Sequence, residues 1–271
     1  MSITFVLLGI SILAVWLPAI RIQQKDYRVW PLLLAATLAS GFIFGFLNAF
    51  AIIVLLLFAA FACSTADASM RHWRSHLALG MTVVLALAIT MHAVPGFNNP
   101  IIADGIRFST LSAPFRQYLN IDKAAVGLLL LAFLCRRSRS RAEWKDTIIL
   151  TLPIAAVTVI IFLVAGYQFG YLRPDVKVPA YTPIFLATNL LFTCVAEEAF
   201  FRGLLQERMQ KKLADVRHGT LIAVLISAVL FGLVHAGGGV KFVILSWSAL
   251  AVRLPMPVPG GSKRPSLPTF P

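Results

Sequence analysis

Apolar residues run along this chain in long blocks, and the polar positions cluster between them. The blocks fall near residues 3–20, 31–47, 49–63, 77–94, 120–135, 147–166, 181–206 and 219–236. Their lengths approach the roughly 20 residues that carry a helix across the hydrocarbon core of a bilayer. None shows the strict apolar/polar alternation of a membrane β-barrel strand. The stretch Pro31–Cys63 is too long for one span, so the pattern predicts a hairpin broken near Asn48. The expected architecture is therefore all-α: a polytopic transmembrane bundle of about eight helices.

Composition points the same way. Of the 271 residues, 59% are hydrophobic and 13% charged, and the mean hydropathy is +0.83. A soluble domain is nearer one half apolar and one quarter charged. The net charge of +13 would suggest nucleic acid in a soluble chain. Here the basic residues sit between apolar blocks, where they orient a membrane protein and face anionic lipid. Membrane lipids are the expected partners, and nucleic acid is not.

The positive-inside rule sets the expected orientation. With a break at Asn48, one side of the membrane receives Arg21, Lys25, Arg28, Arg71, Arg74, Arg136, Arg137, Arg139, Arg141, Lys145, Arg208, Lys211, Lys212 and Arg217. The other receives only Arg107, Arg116, Arg173 and Lys177. The N-terminus is then outside and the basic loops face the cytoplasm. Met1–Ile20 lacks a basic n-region and a small-x-small cleavage signal, which favours a retained first helix over a removed leader. Nothing resembles an organellar signal, so the expected location is the cell membrane, as a multi-pass protein of a bacterial inner membrane.

Three regions are expected: N-terminal transmembrane helices over 1–146, a second transmembrane core over 147–250, and a Pro-rich disordered tail over 251–271. Prolines 255, 257, 259, 265, 268 and 271 forbid a helix in that tail. The loop Pro95–Asn120 is polar and placed outside. Cys63, Cys135 and Cys194 have no CxxC spacing and read as packing residues.

The sharpest departure from the apolar pattern is "CVAEEAFFRG", Cys194–Gly203. A charge at the centre of a spanning helix costs about 2.5–3.5 kcal/mol on insertion scales, and such groups are functional by default. Glu198 and Arg202 are four apart, with the acid first, the favourable order for a pair on one helix face. Glu197 points about 100° away and needs a partner or a wet cavity of its own. The next block, "FGLVHAGGG", supplies His235. With a turn near Val216, Glu197 and His235 stand at equal distances from it, so an antiparallel pair of helices would bring carboxylate and imidazole to the same depth. His72 and His76, also four apart, read as part of an interfacial turn anchored by Trp73. The signatures HExxH and GxSxG are absent.

"EEAFFR" fits EExxxR and "FGLVH" fits FxxxH, in that order and on consecutive apolar blocks. The stretch from Pro183 to Lys241 thereby resembles the type II CAAX prenyl endopeptidases and their bacterial relatives, the CAAX protease and bacteriocin-processing intramembrane proteases. The resemblance implies that Glu197 activates the attacking water, that Glu198 and Arg202 support the site, and that His235 holds the water or stabilises the oxyanion. A carboxylate held away from bulk water can act as a base near neutral pH. If a divalent metal such as zinc takes part, His235 and Glu197 would be its ligands; one Glu and one His are too few for a closed zinc site.

One element of the family pattern is missing. A third motif, HxxxN or HxxxD, is expected on a later helix, and none of the five histidines has Asn or Asp four positions on. The change of character beyond Leu250 reads as a truncated or frameshifted end. The expected function is an intramembrane glutamic, metalloprotease-like endopeptidase acting on a membrane-associated peptide or protein. The alternative is an impaired relative serving as an immunity factor or membrane scaffold. A transporter using Glu197 as a proton site would need broken helices in an inverted repeat, which the pattern lacks.

Overall fold

A computed structural model of the chain describes residues 2–67, 69–138, 140–170 and 172–239. The Pro-rich tail and the position expected for a third motif lie outside the described residues. The fold is all-α, with helices at every predicted apolar block. Four helical runs among the described residues are long and apolar enough to cross a membrane: Ala49–Ala66, His72–Thr90, Arg141–Gln168 and Thr182–Lys212. The chain is a membrane protein.

Contacts divide the described residues into two units, one of those up to Arg136 with Val178–Phe200, the other of Arg137–Lys177 with those from Phe201 to Gly239. In the first, α1 (Ile3–Leu13) pairs with α2 (Trp30–Ile43), and α3 (Ala49–Ala66) pairs with α4 (His72–Thr90). The break between α2 and α3 falls where the sequence places it. Asn48 is the N-cap of α3, and its side-chain oxygen accepts the backbone N–H of Ala51 at 2.9 Å. That satisfies one of the amides a helix start leaves without a partner.

Helix α5 (Ile121–Leu134) is the centre of this unit. It packs against α1, α3, α4 and the motif helix, and Val126, Leu128 and Leu130 are fully buried.

Two small hairpins were not legible in the sequence. Strands β1 (Ile20–Ile22) and β2 (Lys25–Tyr27) pair antiparallel through Gln23 and Gln24, both at positive φ. This is the geometry of a two-residue primed turn, for which Asn-Gly or Asp-Gly is the usual signal; "QQ" carries none. Strands β3 (Ile101–Ile106) and β4 (Phe115–Tyr118) form the second hairpin, inside the stretch read as a polar loop.

The second unit holds α6 (Arg141–Gln168), α9 (Glu207–Lys212) and α10 (Gly219–Val234). Helix α6 starts at Ser140, whose hydroxyl accepts from the Glu143 N–H at 3.1 Å. His218, in the left-handed conformation, turns the chain from α9 into α10.

Candidate active site

The helical run Thr182–Lys212 is not a uniform α-helix. It begins as α7 (Thr182–Thr188), passes through a π-helical segment Asn189–Cys194, returns to α geometry in α8 (Val195–Glu198), and enters a second π segment, Ala199–Gln206, before α9. The one α-helical turn between the two π segments is "VAEE", which carries Glu197 and Glu198. In π geometry the backbone bonds run i→i+5, and such segments are frequent at functional sites. The sequence pattern, read as 3.6-residue periodicity, contains no sign of either segment.

Helix α5 positions this turn. A Cβ added to Gly127 would lie 2.7 Å from the Cα of Ala196, the residue before Glu197. Only a glycine lets the two backbones approach so closely. Gly127 thus sets how closely α5 approaches the VAEE turn, and its signal in the sequence is a lone glycine inside an apolar helix. Cys135, at the end of α5, places its thiol 3.9 Å from the Ala199 carbonyl. Both glutamates are half-buried.

The head of the motif helix is tied to hairpin β3–β4 by side chains. Gln117 of β4 donates through Nε2 to Thr188 Oγ1 at 2.8 Å, and its Oε1 accepts from the Tyr181 hydroxyl at 2.8 Å. Phe115 packs edge-on to Tyr181 and Phe185. Burial pushes the Tyr181 phenol above its ordinary pKa.

Arg202 and His235 belong to the second unit. Arg202 is part-buried in the second π segment. Next to it, the Phe201 carbonyl accepts from Ser227 Oγ of α10 at 3.1 Å, and Ser227 is fully buried. Serine hydroxyls serve this purpose where local π geometry frees a backbone acceptor inside a membrane helix.

The Phe231 ring meets Phe201 edge-on at 5.1 Å and lies 4.4 Å from the His235 imidazole. His235 Nδ1 bonds the Phe231 carbonyl at 2.7 Å, which makes Nδ1 the protonated nitrogen and leaves Nε2 as the acceptor. One aromatic residue of FxxxH therefore holds the histidine ring and also locks α10 onto the segment that follows the glutamates. Among the described residues, the buried Gln206 Oε1 and Gln210 Nε2 have no hydrogen-bond partner.

Comparison with known families bears on this segment. Residues 179–255 match the family Type II CAAX prenyl endopeptidase Rce1-like. The match bears out the resemblance of this stretch to the type II CAAX prenyl endopeptidases. The match takes in both glutamates, Arg202 and His235, and leaves Met1–Val178 outside it. No curated protein and no solved structure matched the chain.

His72 and His76 form a separate pair on α4, Nε2 to Nε2 at 3.0 Å, with both side chains exposed.

Proposed function

We propose that this chain is a multi-pass intramembrane endopeptidase of the CAAX-processing type, with Glu197 as its general base. The observation that carries the reading is the match over 179–255, with EExxxR and FxxxH both inside it. In this mechanism the Glu197 carboxylate takes a proton from a water while that water's oxygen attacks the scissile carbonyl carbon. His235 Nε2 accepts the water's other hydrogen and orients it, a role suited to a ring whose Nδ1 is engaged by Phe231. As the tetrahedral intermediate collapses, the C–N bond breaks and Glu197 returns its proton to the leaving amine. Glu198 and Arg202, four apart in the sequence, support the site, as the family resemblance implies.

The substrate is a membrane-associated peptide or protein. The protein sits in a bacterial inner membrane with its N-terminus outside, so cysteine labelling from outside modifies position 107 and not position 139. Labelling at 139 in intact cells would reverse the orientation.

Glu197→Gln keeps size and hydrogen bonding and removes the base. With the full chain in proteoliposomes and a fluorogenic farnesylated CAAX peptide as probe, cleavage falls by about 10²–10⁴-fold. Membrane insertion is unchanged, because the neutral side chain is easier to insert. Equal cleavage by wild type and Glu197→Gln would sink the mechanism.

A second reading has its own observation: no histidine of this chain carries the HxxxN/D spacing. It makes the protein a catalytically impaired relative acting as an immunity factor or membrane scaffold. In that case no cleavage is seen, and the cellular phenotype of a deletion is rescued equally by wild type and Glu197→Gln.

A further inference from the structure

A second polar cluster lies in the first unit, away from the motif helix. Asp122 stands in the first turn of α5 and is 1% exposed. Its Oδ2 accepts from His92 Nδ1 at 2.6 Å and from Asn99 Nδ2 at 2.9 Å, and its Oδ1 accepts the Lys123 backbone N–H at 2.7 Å. Asn99 uses its Oδ1 to accept the Ile121 N–H at 2.9 Å. Capping the start of α5 accounts for Asp122 and Asn99.

Capping does not account for His92. It follows the end of α4 in the left-handed conformation, at φ 59°, which a non-glycine residue adopts at an energetic cost. Its side chain remains 49% exposed. The ring lines a cavity of about 270 Å³, together with Phe97, Tyr118, Asn120 and Asp122. With Nδ1–H given to the carboxylate, Nε2 is the ring's remaining hydrogen-bonding nitrogen, on a ring that lines the cavity.

Among the described residues no lysine or arginine lines this cavity. The nearest basic group on its wall's own strand, Arg116, is held by Asp104 at 2.7 Å and by the Tyr118 hydroxyl. In a chain of net charge +13, a buried carboxylate beside a cavity without basic residues suits a cation.

We propose that this cavity binds a primary ammonium group. Its N–H donors meet His92 Nε2 and the Asn120 side-chain oxygen, Asp122 balances its charge, and the faces of Phe97 and Tyr118 complete the site. The α4 span ends at Thr90, so the cavity lies at a membrane boundary. An ethanolamine headgroup and the amino end of a peptide can both present this group there.

The test uses the full chain in phosphatidylcholine nanodiscs, with the imidazole ¹⁵N resonances read by NMR. Ethanolamine shifts the His92 resonance, and choline, which has no N–H to donate, binds at least about tenfold more weakly. His92→Asn, a residue that tolerates the left-handed conformation, weakens ethanolamine binding by about tenfold or more, read on the Asn120 side-chain amide. Asp122→Asn does the same where it folds, and the half-exposed His92 position decides the matter where it does not. Nanodiscs doped with phosphatidylethanolamine identify a lipid source, and displacement by glycylglycine amide identifies a peptide. Equal affinity for choline and ethanolamine, unchanged binding in His92→Asn, or no response to any of the three amines overturns the site.

Discussion

Helices α5 and α6 read alike in the sequence, as apolar blocks between charged loops, but the structure uses them in opposite ways. Of the 14 residues of α5, most are buried, Asp122 included; of the 28 residues of α6, Gly166 alone is. At 1.5 Å per residue α5 extends about 21 Å and α6 about 42 Å, against a hydrocarbon core of about 30 Å. The short helix is sealed in protein, and the long one has a surface suited to lipid. Leu and Ile serve both purposes equally, because lipid tails are as apolar as a protein core. The difference shows in the small residues. Ala124, Ala125 and Gly127 let neighbours approach α5 closely, whereas Val157, Ile160 and Leu163 of α6 remain exposed.

The two glycines give the most direct way to break this comparison. A Cβ on either would meet an atom at 2.7 Å. At Gly127 that atom is the backbone Cα of Ala196, and at Gly166 it is the tip of the Leu172 side chain. Gly127→Leu is therefore expected to destabilise by about 3 kcal/mol or more, measured by unfolding in mixed micelles, and to abolish any activity of Glu197. Gly166→Ala moves a flexible side chain and costs less than about 1 kcal/mol. Equal effects would mean that α5 does not hold the motif turn by backbone contact.

Next in size are paired truncations. Leu130→Ala in α5 should cost about 2–5 kcal/mol, since it opens a cavity in a packed core. Removing the Ser140 cap of α6 by Ser140→Ala should cost about 1 kcal/mol, read as fraying of the first turn by hydrogen exchange. Ile160→Ala on α6 is the smallest, within about 0.5 kcal/mol. A large loss there would show that α6 buries this face against a partner.

The membrane class, the helix positions and the break at Asn48 were legible because each depends on local composition. Long apolar runs need either a bilayer or a core, and Asn is a strong N-cap. The motif residues stood out too, as candidates, since charge inside an apolar run is conspicuous whatever the fold. Hairpin β1–β2 was not, because its turn uses Gln23 and Gln24 at positive φ, and this depends on flanking strands more than on the turn residues.

The sequence by itself determined that the protein is helical and lies in the membrane, and it placed the ionisable residues Glu197, Glu198, Arg202 and His235 inside apolar blocks. These are properties of residue type and spacing along one chain. Only the tertiary structure decided that α5 is the sealed helix, that Gly127 sets the height of the turn before Glu197, and that π segments bracket the two glutamates. It also decided that Asp122 forms one cluster with His92 and Asn99, 30 and 23 residues before it in the chain. Those outcomes depend on which backbone lies against which, and hydrophobicity cannot encode that choice in a chain where lipid and protein are equally good neighbours.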